Sequence, residues 1–231
     1  MKIATSHPWR QQLVIGLVLL VLAGALGAWV FARGNDPFAL DDWWNGVLAD
    51  AGANEILLGF ALVMNRVGGT WVAVFLIPLA GALALVLLRR PWAAAYFLAA
   101  SALSAAAVQV LKHAFGRARP EDILITSDYG SFPSGHTANA ATIAVVAMVL
   151  FARAWVVVVG AVWVVLMAFS RTYLHAHWLT DTLGGALAGA GVALVLAAAF
   201  AVLVARDRGR RPGSIAATAG RDGRASSTPG T

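Results

Sequence analysis

Long apolar runs broken by short polar stretches set the rhythm of the chain. Six runs stand out, at residues 13–32, 70–88, 92–111, 137–152, 154–169 and 183–205. Most approach the ~20 residues that carry a helix across a bilayer core. The fourth and fifth are short, and the pattern predicts that they extend into the polar segments at their ends. The expected architecture is an all-α, polytopic membrane helix bundle of six transmembrane helices. The first run is longer than the ~7–15 apolar residues of a signal peptide and lacks a convincing cleavage site, so it reads as a retained span.

Between Gly34 and Gly69 lie two shorter segments with helical spacing, FALDDWWNGVL and EILLGFALVMNR. The second offers nine residues, 56–64, before Asn65 and Arg66. That is too few to cross, which predicts a helix lying in the interface. Asp41 and Asp42 beside Trp43 and Trp44 read as solvated carboxylates in an interfacial tryptophan belt. Small residues such as Gly185 and Gly189 predict close helix packing. The expected organisation is an N-terminal tail (1–12), a membrane domain (13–205) and a disordered tail (206–231) rich in Gly, Arg, Ser and Ala.

Composition sharpens this picture. Hydrophobic residues make up 60% of the chain and charged ones only 12%. The net charge of +6 does not indicate nucleic acid, because the basic residues sit in short loops and tails. With both termini on one side, that side holds eleven of the 17 Lys and Arg residues: Lys2, Arg10, Arg89, Arg90, Arg153 and six in the tail from Arg206 onward. The termini are therefore expected in the cytoplasm, with the loops after the first, third and fifth runs facing outward. No cysteine is present, which removes disulfides and thiolate metal sites.

Three polar clusters fall at span ends on that outer side: KHAFGRARP (112–120), FPSGHT (132–137) and SRTYLHAHWLTD (170–181). Ionisable groups gathered at a membrane edge are functional candidates by default. Lys112, Arg117, Arg119 and Arg171 supply cations and forked donors suited to phosphate. Ser134 and Gly135 open a helix, whose free N–H groups favour an anion. His177 and Asp181 are four residues apart, so on a helical turn the carboxylate orients the ring through Nδ1–H. Nε2 is then a nucleophile, and His136 an acid for a leaving alkoxide. No cluster offers a full metal-ligand set, so no metal and no cofactor are expected. Arg117 reads as a snorkelling span-end arginine and His175 as a ring hydrogen-bonded at the interface.

Together, Lys112 followed by Arg119-Pro120, then Pro133-Ser134-Gly135-His136, then Ser170-Arg171 with His177 and Asp181, resemble the three-part signature of the type 2 phosphatidic acid phosphatase superfamily, relatives of the vanadium haloperoxidases. The resemblance implies a helical core and metal-independent hydrolysis of a lipid phosphate or diphosphate through a phosphohistidine. It makes His177 the nucleophile, Asp181 its orienting partner and His136 the acid and base. Lys112, Arg119, Ser134, Gly135 and Arg171 fall at phosphate-binding positions. Expected partners are membrane lipids and a substrate such as phosphatidate, phosphatidylglycerol phosphate or undecaprenyl diphosphate, with no nucleic acid. Short loops and the lack of organelle or glycosylation signals point to a bacterial inner membrane. A transferase with the same intermediate and a non-enzymatic lipid-phosphate binding or transport protein stand as alternatives.

Overall fold

The computed structural model describes residues 8–50 and 54–209, and every regular element among them is helical. In order these are α1 (Pro8–Ala32), α2 (Ala39–Asp50), α3 (Glu55–Val67), a π-helical stretch (Thr70–Leu76), α4 (Ile77–Leu87), α5 (Pro91–Phe115), α6 (Gly135–Phe151), α7 (Ala154–Tyr173) and α8 (Leu179–Gly209). The apolar runs thus became helices, with differences at their ends. The N-terminal tail contributes its residues from Pro8 onward to α1. At the other end α8 continues through Asp207, which is buried and accepts the Ala93 N–H at 2.9 Å, tying the end of α8 to the start of α5. The expected disorder of the C-terminal tail otherwise falls on 210–231, outside the described residues.

By length and composition, α1, α5, α7 and α8 are the four helices among the described residues able to cross a membrane. A fifth candidate is α3 taken with residues 71–87, a pair bent by 45°. This recasts the segment before Asn65: it lies at an angle to the following apolar stretch, on the same broken element. The expected fourth span corresponds to α6, which at 17 residues is shorter than those four helices. Its start is set by Pro133 and the Ser134 cap, and its end by Ala152 in a left-handed conformation. The fifth run does extend into polar sequence, since α7 carries Ser170 and Arg171 in its last turns.

The bundle packs around α8, which contacts α1, α5 and α6. Gly185 and Gly189 face α6 as the small-residue pattern predicts. A Cβ at Gly185 would collide with the Ser134 carbonyl oxygen, and one at Gly189 with that of Ala138. The buried Thr142 hydroxyl of α6 links both neighbours: its Oγ1 lies 3.2 Å from the Gly189 carbonyl of α8 and 2.8 Å from Ser104 Oγ of α5. The outer faces of α1 and α7 expose Val14, Leu17, Val21, Val158, Val162 and Val165. Such continuous apolar faces suit hydrocarbon and not water.

Candidate active site

Four helix ends converge at one end of the bundle. Lys112 lies on the buried side of the last turn of α5, and Gly116, with φ of +56°, closes that helix by donating its N–H to the Lys112 carbonyl. Only a residue tolerant of the left-handed region suits this cap. The chain then turns back through Arg117, Arg119 and Pro120. On α6 the Ser134 side chain is the N-cap. Arg171 comes from the last turn of α7 and Asp181 from the first turn of α8. Backbone bonds tie the two loops together, Leu124 N–H to the Leu174 carbonyl at 3.1 Å and Ser134 N–H to the Asp181 carbonyl at 2.9 Å.

These ends enclose a cavity of about 550 Å³. Its polar lining holds Lys112, Asp128, His136, Arg171 and His177, with Gly135 at the helix start. Its other side is apolar, formed by Val74, Ala105, Ala106 and Val108. All three sequence clusters therefore meet at one site. Two expected residues stand behind the wall: Ser134 is fully buried with its hydroxyl taking the Thr137 N–H and Oγ1–H, and Asp181 is fully buried at the base. Arg119 reaches the site by its guanidinium, with NH1 3.2 Å from His177 Nε2.

The His177 ring differs from expectation in its orienting partner. His177 precedes α8, so the helical four-residue rule does not govern it. Its Nδ1 lies 2.8 Å from the Ser131 carbonyl and 3.7 Å from Asp181 Oδ2. A carbonyl only accepts, so Nδ1 carries the proton and Nε2 keeps its lone pair toward Arg119. Asp181 is the second, longer contact. Burial, followed by the charges of Arg171, Arg119 and Lys112, holds the imidazole well below the ordinary histidine value of 6.5, so the ring rests neutral.

The cations are not equally free. Lys112 Nζ and Arg119 NH2 share one carboxylate oxygen of Asp128, at 2.9 and 2.7 Å, and both also donate to the Gly130 carbonyl. Partial burial works against the Asp128 charge, but the Lys112 hydrogen bond and the Lys112 and Arg119 charges outweigh it and hold its carboxyl below the ordinary range. Arg171 donates to the Asn65 side chain, and the His136 Nε2–H to the Asn65 carbonyl at 3.1 Å.

Arg117 corrects the snorkelling reading. It is fully buried, bridging Asp181 Oδ1 at 2.7 Å and Asp41 Oδ2 at 2.8 Å. Asp41, expected to be solvated, is 1% exposed and also accepts from Thr180 N and Oγ1. Only its neighbours Asp42 and Trp43 match the exposed-belt reading. A span-end guanidinium can bury itself when two carboxylates and a hydroxyl take its donors, and the sequence signal for that pairing is a lone acidic pair some 76 residues upstream. His175 follows expectation: its Nδ1 lies 2.7 Å from Asn45 Oδ1 and 2.9 Å from Asp122 Oδ2, away from the cavity. Sequence reasoning missed Asn65, Asp128 and Ser131; for Asn65 the available signal was an amide closing an apolar run.

A helical membrane bundle with histidine and clustered cations at one rim defines a membrane phosphatase class, and comparison with known proteins agrees. The PAP2 superfamily model matches residues 93–204. The chain is 31% identical to phosphatidylglycerophosphatase B of Bacillus subtilis (strain 168) over 142 residues, 57% of this chain and 68% of that protein. It therefore belongs to the PAP2 superfamily and is a phosphatase. It is also 30% identical to lipid A 1-phosphatase of Rhizobium johnstonii (strain DSM 114642 / LMG 32736 / 3841) over 125 residues, 48% of this chain and 49% of that protein. In fold it is similar to a crystal structure of a transmembrane PAP2-type phosphatidylglycerolphosphate phosphatase from Bacillus subtilis, with a TM-score of 0.65 and 24% identity, covering 86% of this chain and 98% of the other.

Proposed function

We propose that the chain hydrolyses a lipid phosphate or diphosphate at the outer face of a bacterial inner membrane, through a phosphohistidine on His177. The observation that carries this reading is the His177 ring: Nδ1–H is engaged by the Ser131 carbonyl, and Nε2 is left as a lone pair beside Arg119 and the cation-lined cavity. Nε2 attacks phosphorus as the bond to the lipid oxygen breaks. Lys112, Arg119, Arg171 and the N–H groups at Gly135 stabilise charge on the equatorial oxygens. His136 enters this step as the imidazolium, its Nε2–H held by the Asn65 carbonyl, and gives its Nδ1 proton to the leaving oxygen. In the second step His136 takes a proton from water, water oxygen bonds to phosphorus, the P–N bond breaks and inorganic phosphate leaves. Ser134 acts through the helix start that it caps, and Asp181 as the charge behind the imidazole.

Six spans with cytoplasmic termini fit the distribution of basic residues, with α6 as a short span supported on three sides by α5, α7 and α8. Phosphatidylglycerol phosphate is a candidate substrate because a relative's name specifies it, and phosphatidate and undecaprenyl diphosphate present the same group at the interface. The test is phosphate release by purified protein in detergent across these three lipids. Turnover that persists in excess EDTA and stops with vanadate is expected. Turnover abolished by chelation and restored by Mg2+ would overturn the mechanism.

A further inference from the structure

We infer that Asn65 is a positioning residue of this site, holding Arg171 in place without neutralising it while its main chain fixes His136. The inference rests on the reading of Arg171 as a phosphate ligand. Asn65 lies on α3, outside residues 93–204 matched by the family model and outside all three signature clusters.

Its main chain is free for the role because α3 ends there. Gly68 N–H bonds to the Met64 carbonyl and Gly69 N–H to that of Arg66, leaving the Asn65 carbonyl as one of the unsatisfied acceptors of a helix C-terminus. The His136 Nε2–H takes it at 3.1 Å. The approach needs a glycine one turn on. A Cβ at Gly68 would stand 2.7 Å from His136 Cδ2 and 2.7 Å from Met167 Cε.

The side chain does the second part. Arg171 NH1 lies 2.5 Å from Asn65 Oδ1, and since a guanidinium only donates, the amide oxygen must face it. Among the described residues this is the one hydrogen bond of the Arg171 side chain, which is 1% exposed and has no carboxylate partner. The contrast with the rest of the site is informative. Lys112 and Arg119 rest against Asp128, and Arg117 against Asp41 and Asp181, so their charges are already compensated. Arg171 alone of these four is oriented by a neutral acceptor. A carboxylate at position 65 would hold the guanidinium equally well and cancel the charge that an incoming phosphate needs. Asparagine supplies the geometry and leaves the charge in place.

The test is calorimetric binding of orthovanadate to the purified full-length protein in detergent, alongside its thermal unfolding, for Arg171→Ala, Asn65→Ala, Asn65→Asp and the Asn65→Ala/Arg171→Ala pair. Loss of the hydrogen bond that orients a charged ligand predicts weakening by about ten- to a hundredfold for Asn65→Ala. The double substitution should bind no worse than Arg171→Ala. Asn65→Asp should weaken binding at least as much while unfolding at or above the wild-type temperature, a separation that a purely structural role would not produce. It keeps volume and acceptor, so it decides the matter even if the alanine variant fails to fold. Wild-type binding by Asn65→Asp, or independent additive losses in the pair, would overturn this inference alone. Unchanged binding by Arg171→Ala would overturn the phosphate-site reading together with it.

Discussion

Replacing Asp41 by asparagine probes the buried network under the candidate nucleophile with almost no change of shape. Asp41 Oδ2 takes the Phe38 N–H at 3.2 Å, Arg117 NH2 at 2.8 Å and Thr180 Oγ1 at 2.8 Å, while Oδ1 takes the Thr180 N–H at 2.9 Å. Every partner is a donor, and only an acceptor-only group satisfies them all. In Asp41→Asn the amide oxygen will occupy the crowded position, turning NH2 against the Thr180 N–H. One buried backbone donor then goes unpaired, which costs about 1–3 kcal/mol. The Arg117 bond falls from charge-assisted to neutral, costing roughly another 1 kcal/mol. Arg117 keeps Asp181, so the larger penalty of an orphaned buried charge, about 3–5 kcal/mol, is avoided.

The expected total is about 2–4 kcal/mol, or a fall in unfolding temperature of roughly 5–15 °C for a chain of this size. Tryptophan fluorescence during heating in detergent reads it, since Trp178 lies 5.6 Å from the Arg117 guanidinium. Asp42→Asn is the internal control: its side chain is exposed, and the substitution should stay within about 0.5 kcal/mol of wild type. A shift below about 2 °C for Asp41→Asn, or equal shifts for the two variants, would refute the reasoning.

His177→Ala should abolish turnover and leave no trappable phosphoenzyme, whereas His175→Ala, whose ring faces Asn45 and Asp122, should retain most activity; the reverse pattern would move the nucleophile. Asp128→Asn removes an exposed carboxylate that competes for Lys112 and Arg119, so orthovanadate should bind about three- to tenfold more tightly, and weaker binding would show that Asp128 holds these cations in place. His177 is buried neutral with its pKa depressed, so between 6.5 and that lower value the unfolded chain binds a proton that the folded chain does not; stability should fall as pH drops below 6.5, with a shallower slope in His177→Gln. Asp128→Cys should label from outside intact cells and Ser226→Cys only after permeabilisation, with the opposite result placing the site in the cytoplasm.

What could be read in advance followed from local order. The apolar runs, the small faces at Gly185 and Gly189, and the charges gathered at span ends are each written within a stretch of a dozen or so residues, and the bundle brings them together because helices have fixed pitch and rigid ends. The groups that orient the site are joined across long separations: Asp41 meets Arg117, Ser131 meets His177 and Asn65 meets Arg171, pairs 76, 46 and 106 residues apart. No period along the chain encodes such a pair. The spacing of His177 and Asp181 does bring ring and carboxylate to 3.7 Å, but not through a shared helix face, because α8 begins at Leu179 and the ring stands outside it. Asp181 keeps its importance by another route. Its Oδ2 accepts the Trp178 N–H at 2.9 Å, its carbonyl accepts the Ser134 N–H at 2.9 Å, and its Oδ1 anchors Arg117. It thereby joins the His177 loop and the chain after α5 through its buried carboxylate, and the start of α6 through its main chain. An Asp181→Asn substitution acts on the two side-chain joints, to Trp178 and to Arg117, as well as on the charge behind the imidazole, and leaves the main-chain bond to Ser134 in place.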